Sequence, residues 1–275
     1  KLSKLFKKKF SEIKFIDIRQ TDKILSKISN KKFILDKNSC SIYFENIISK
    51  NNQILNLQDP IYIFKAIKSK NEIRNIKIAH KIDGIALTKY LFWLKKNFNT
   101  QKITEISGAQ KLFKFRKNNN KFKFLSFPTI SGAGPNGAII HYKASEKTNR
   151  VLKKGDIYLV DSGGQYEFGT TDVTRTISLK NTNKRIRKIF TRVLKGHIAV
   201  ANFKLKDNTS GSIIDSEARK YLRQIGLDYE HGTGHGVGYF LNVHEGPHAI
   251  SKNNKIKFKE GMILSNEPGY YEKNK

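Results

Sequence analysis

Apolar positions along the chain change period several times, and each change marks an element. From Lys70 onward, Ile73, Ile76, Ala79, Ile82, Ala86, Tyr90 and Trp93 recur at steps of three and four. That spacing predicts an amphipathic helix of about six turns. Thr104, followed directly by Glu105, predicts a second helix start, with the helix running to about Asn118 and a polar, basic loop over 117–121. Ile157 to Val160 is an apolar β run that ends on Asp161, and the chain returns through the alternating Asp172–Ile177. Together they predict a β-hairpin over 157–179 that turns near Tyr166-Glu167. Helices are expected at about 182–203 and 211–225, and a buried strand at Gly261–Leu264.

The first sixty residues read differently. Phe33–Leu35 and Gln53–Leu57 have the look of strands, with a helix over Cys40–Ile48 between them, and Asp59-Pro60 breaks the pattern. This gives an expected division into 1–60, the tail of a preceding α/β domain, and 61–275, a larger domain. The helices come in blocks rather than in regular βαβ alternation, so the expected class is α+β. The basic start KLSKLFKKKF lacks a continuous apolar core and reads as an amphipathic helix or a solvated stretch.

Composition narrows the function classes. Hydrophobic residues make up 38% of the 275, enough for a packed core. The formal net charge of +30 invites a nucleic-acid reading. The excess is mostly Lys, however, and it rises with Ile and Asn, as AT-rich coding alone would produce; Arg, the better bidentate phosphate ligand, is far rarer. A solvated basic surface is therefore preferred to a nucleic-acid partner. Cys40 is the single cysteine, which excludes an internal disulfide and fits a reducing, cytoplasmic setting. No apolar run approaches the ~20 residues that span a bilayer, so no membrane partner is expected. The chain starts at Lys1 and stops shortly after a Gly-Tyr-Tyr run, and it reads as a piece of a longer protein.

The chemistry concentrates in three places. Asp161 and Asp172 would fall roughly opposite each other across the expected hairpin, where two like charges repel unless a cation lies between them. Residues 231–247 hold His231, His235 and His244 among five glycines. The glycines oppose a helix, so a strand or extended loop is expected, with His231 and His235 on one side and Thr233 between them. Glu267, at the end of the expected 261–264 strand, adds a third carboxylate, which makes a carboxylate-rich ligand set with a single imidazole. Such a set favours a harder divalent ion, Mn²⁺ or a neighbour such as Co²⁺, over structural zinc.

These stretches match a family. FPTISGAGPNGAIIHY (127–142), VDSGGQYEFGTTDVTRT (160–176), HGTGHGVGYFLNVHEGP (231–247) and GMILSNEPGYYE (261–272), in this order and spacing, resemble the proline-specific metallo-aminopeptidases of the pita-bread fold. The closest likeness is to the cytosolic Xaa-Pro aminopeptidases, and it runs from about Pro60 to the last residue. The resemblance implies a curved antiparallel sheet flanked by helices. It also implies a two-metal hydrolase that releases the first residue from peptides with proline second. It makes Asp161, Asp172, His235 and Glu267 the metal ligands, with Mn²⁺ expected and Co²⁺ or Zn²⁺ as alternatives. His141, His244 and Glu267 become catalytic. His141, His231, His244 and Tyr271 face the substrate. A second bridging glutamate and an N-terminal capping domain lie outside the residues present, so this piece is expected to bind the metals poorly and to turn over little. A homodimer is the usual family state. The alternatives are an Xaa-Pro dipeptidase, and a metal-free pita-bread relative that binds other macromolecules.

Overall fold

The structure is a computed structural model, and it describes residues 3–180 and 182–272. The chain divides into two compact units, Lys1–Ile63 and Phe64–Lys275.

In the first unit, the basic start forms helix α1 (Lys4–Lys9), which buries no residue, and α2 (Thr21–Leu25) follows. Strands β1 (Lys32–Leu35) and β2 (Gln53–Asn56) pair in parallel, as a crossover through α3 (Ile42–Ser49) requires. Ser41 caps α3 by accepting the Tyr43 amide proton, which is why the helix starts later than its apolar pattern suggests. Pro60 opens helix α4 (Pro60–Ala66) rather than ending an element. At a first helical position its missing N–H has no intrahelical partner to lose.

The second unit is built on α5 (Lys70–Asn97) and α6 (Glu105–Lys117). The 28 residues of α5 exceed the six turns read from its apolar stripe. Ser69 and Glu72 form a capping box at its start, and the stripe continues through the buried Leu94. Thr104 caps α6 as its sequence suggests.

The strands form several small antiparallel sheets. Strands β3 (Phe122–Leu125), β4 (Ile130–Ala133), β5 (Ile157–Ser162), β6 (Gly164–Tyr166), β7 (Gly169–Thr170) and β8 (Val173–Ser178) assemble in the orders β4-β5-β8 and β3-β6-β7. The expected 157–179 hairpin is thus two nested hairpins. β5 pairs with β8, while the β6–β7 turn between them joins a different sheet. The register corrects one expectation: Asp161 lies opposite Thr174, not Asp172. The inserted β6–β7 hairpin absorbs the residues that a single hairpin would have paired. Two residues from Thr174, Asp172 is a diagonal neighbour of Asp161 rather than its direct partner.

Alternation along β5 decides what faces the core. Tyr158, Val160 and Ser162 are buried on one face and pack toward α5 and α6 with Tyr90, Leu94 and Leu112. Asp161 points to the other face. A fully buried ion pair fixes this layer: Arg116 donates to Asp83 at 2.6 and 2.9 Å and to Ser162 Oγ at 3.1 Å, and the Tyr166 hydroxyl donates to Asp83 at 2.7 Å.

Helices α7 (Lys184–Ala201) and α8 (Gly211–Arg223) pack so closely that a β-carbon at Gly196 would lie 2.3 Å from the Ala218 carbonyl oxygen. The final pair, β9 (Gly234–Gly236) and β10 (Glu245–Ile250), is antiparallel with an irregular register. The buried strand expected at Gly261–Leu264 is instead a half-buried run with single bridges from Met262 to Ile67 and from Leu264 to Gly236. Gly261, at φ +93°, turns the backbone just before it and prevents a continuous ladder.

Candidate active site

The central group is His235, in the middle of β9. Its Nδ1 bonds to the Gly236 carbonyl oxygen at 2.8 Å, which turns Nε2 toward two carboxylates: Asp172 Oδ2 at 3.2 Å and Glu267 Oε1 at 3.1 Å. Asp172, His235 and Glu267 bring one ligand atom each to within 4.8 Å of one another. The backbone locks this geometry. The Ser265 amide donates to the His235 carbonyl, and the Glu267 amide to that of Thr233, both at 2.8 Å. Ser265 Oγ accepts the His235 amide proton at 2.9 Å and donates to Glu267 Oε1 at 2.6 Å. A side chain at Gly234 would collide with the Ser265 carbonyl oxygen, 2.0 Å from the β-carbon position. One glycine of the 231–247 stretch therefore serves a close backbone approach.

Asp161 lies outside that threesome of ligand atoms, yet it is electrostatically part of the site. Its Oδ1 is buried with no hydrogen-bond partner among the described residues. Burial, followed by the Asp172 charge, pushes its carboxyl up to about 7. Burial lowers the His235 imidazole, but the hydrogen bonds to Asp172 and Glu267 outweigh it and raise the ring to about 10. Burial raises Glu267, and its bonds to His235 and Ser265 more than offset this, so its carboxyl falls below the usual range.

Two further imidazoles line one side of this cluster. The His244 ring stands edge-on to His235, with centroids 4.2 Å apart, and His141 is 6.4 Å from His244. Burial and the neighbouring His235 lower His244, favouring the neutral ring. His231 precedes β9 and turns to a different partner: its Nε2 bonds to the Tyr271 hydroxyl at 3.0 Å, and the tilted Tyr229 ring lies 5.0 Å away. Burial and then the charges of Glu267 and Asp161 push the Tyr271 hydroxyl up to about 12.

The profile of metallopeptidase family M24 matches residues 74–275, which include every residue of the cluster. The chain belongs to metallopeptidase family M24. Its second unit has the pita-bread fold of M24 proteins. The probable Xaa-Pro aminopeptidase P of Laccaria bicolor is 48% identical over 242 residues, covering 86% of this chain and 38% of that protein. Xaa-Pro aminopeptidase 1 of Dictyostelium discoideum is 44% identical, covering 93% and 40%. Among solved structures, the X-prolyl aminopeptidase of Caenorhabditis elegans, described as a cytosolic enzyme with a di-nuclear active site, superposes with a TM-score of 0.81 at 38% identity. It covers 88% of this chain and 40% of that one. The prolidase of Pyrococcus furiosus reaches the same TM-score at 27% identity. The chain spans about two-fifths of the length of the curated relatives it matches.

Within this M24 unit the structure brings together the expected Asp172, His235 and Glu267, with Asp161, His244, His141, His231 and Tyr271 around them. The sequence did not point to the supports. Ser265 is one. Another is Asp215 on α8, which accepts from Thr233 Oγ1 at 2.6 Å and pairs with Arg219 at 2.7 Å. A third is the buried Lys68–Glu245 ion pair, which ties the start of the unit to β10. No motif marks these residues, because Ser265 reaches His235, Asp215 reaches Thr233 and Lys68 reaches Glu245 across distant segments. The one available hint was a carboxylate, Asp215, on the apolar side of an otherwise regular helix.

Proposed function

We propose that this chain is part of an Xaa-Pro aminopeptidase, a metal-dependent hydrolase that releases the first residue of peptides with proline second. Residues 61–275 would form its catalytic domain, and 1–60 the end of a preceding α/β domain. The observation that carries the reading is the convergence of Asp172, His235 and Glu267 beside Asp161, whose buried Oδ1 has no partner among the described residues. A buried acceptor with nothing to accept from is suited to ligate a cation. The donor set, three carboxylates and one imidazole, fits divalent cations of the Mn²⁺ or Co²⁺ kind. Asp161, Asp172, His235 and Glu267 would hold two of them. When bound, such cations polarise a carbonyl and acidify water.

The remaining work falls to side chains of this chain. Neutral His244, beside the cluster, can donate a hydrogen bond to the oxygen that gains charge as the Xaa-Pro carbonyl is attacked, and His141 stands next to it on the same side. Glu267, held ionised by His235 and Ser265, can take up a proton at Oε2 and pass it to the leaving proline nitrogen. The His231 and Tyr271 pair offers an aromatic wall for the proline ring. Among the described residues no helix is long and apolar enough to cross a membrane, and we place the protein in the cytoplasm, with Mn²⁺ as its metal and a homodimer as its assembly.

The test is hydrolysis by the full protein of an Xaa-Pro-Yaa tripeptide and an Xaa-Pro dipeptide, each with and without Mn²⁺. Cleavage of the tripeptide at Xaa-Pro that requires the metal is expected. Cleavage of the dipeptide alone would make it a prolidase, and no cleavage of either would remove the assignment.

A further inference from the structure

Among the described residues, the His141 ring makes no hydrogen bond and stands only near the His244 ring, and the residue is exposed. Its place is therefore set by its backbone, which has a left-handed φ of +56°, a conformation unusual for a residue with a β-carbon. Such a conformation persists only where the surroundings hold it. The segment around it, 134–150, contains one short 3₁₀ turn (Gly134–Ala138) and otherwise consists of turns and irregular backbone.

One side chain gathers this segment. Glu105, the first residue of α6, is fully buried. Its Oε1 accepts from the Ala133 amide at 2.7 Å and from Asn136 Nδ2 at 3.1 Å. Its Oε2 accepts from the Tyr142 hydroxyl at 2.9 Å and from the Arg150 amide at 3.0 Å. These donors lie at both ends of the segment and at the residue directly after His141. The segment also sits hard against β4: a β-carbon at Gly132 would come 2.8 Å from the backbone of Gly137. No residue of α6 belongs to the metal cluster, so this buried carboxylate has a purpose other than ligation.

We propose that Glu105 is a positioning residue for His141, acting through the Tyr142 hydroxyl and the two ends of the 134–150 segment. The inference rests on the functional reading that turns His141 toward the substrate. Replacing the carboxylate by an amide would put an N–H₂ group against one of the donors and release part of the segment. His141 would then wander from its working position while the metal ligands stay in place.

The test is a double-mutant cycle in the full protein on an Xaa-Pro peptide, with hydrogen exchange read alongside. Glu105→Gln should lower kcat about tenfold with little change in KM and none in metal content. In a His141→Ala background the same change should alter kcat less than about twofold. Tyr142→Phe, which removes one tether and keeps the carboxylate, should act in the same direction but more weakly. Amide exchange over 139–149 should rise in Glu105→Gln and Tyr142→Phe while α5 and β5 keep their protection. Equal losses with and without His141, or a uniform rise in exchange across the unit, would overturn the proposal. If the wild-type protein cleaves no Xaa-Pro peptide, the functional reading falls, and the exchange pattern alone still decides whether Glu105 tethers the segment.

Discussion

His235 is the residue on which the site turns. Its Nε2 lies between two carboxylates, so a proton there is strongly held, and Asp161 keeps a second proton through burial and the charge of Asp172. A cation can take these positions only by displacing both protons. With Asp161 titrating at about 7 and His235 at about 10, metal uptake at pH 6 should release about two protons per chain and at pH 8 about one. Titration calorimetry in buffers of different ionisation enthalpy measures this number; equal release at both pH values would show that Asp161 does not hold a proton. The candidate ligands were legible in the sequence because motifs preserve local spacing. Ser265, Thr233 and Asp215, which aim those ligands, were not, since hydrogen bonds between segments leave no periodic trace.

At the level of elements, the sequence identified both long helices, the return strand and the helix caps at Thr104, because apolar period and capping are local properties. It misjudged the connection between the two aspartates. Residues 163–171 alternate weakly and contain three glycines, so nothing local shows that β6 and β7 leave the β5–β8 sheet, with β6 pairing with β3. The device that holds this layered hairpin is the Arg116–Asp83 pair, with Ser162 and Tyr166 bonded to it. Asp83→Ala should leave a buried guanidinium without its partner and destabilise the second unit by about 3–5 kcal/mol. Urea unfolding of the variant beside wild type measures it, and a loss below about 1 kcal/mol would mean the pair is dispensable. Replacing both partners by apolar residues of similar volume should recover much of the loss.

For the whole molecule, the class of fold and the place of the candidate site were legible because four motifs follow one another in order, and order along the chain survives folding. The net charge of +30 was a poor guide: the chemistry gathers where carboxylates and imidazoles converge. The division at Ile63 and Phe64 passes through α4, a helix that begins at the Asp59-Pro60 break. The account stands or falls on whether the cluster in the second unit is a metal centre with His244 on its substrate side. The most direct measurement is the divalent-metal content of the full protein and two variants after purification with Mn²⁺. Wild type and His244→Ala should each retain about two ions per chain, and Asp172→Asn fewer than about one. Two ions retained by Asp172→Asn would contradict the assignment of the centre.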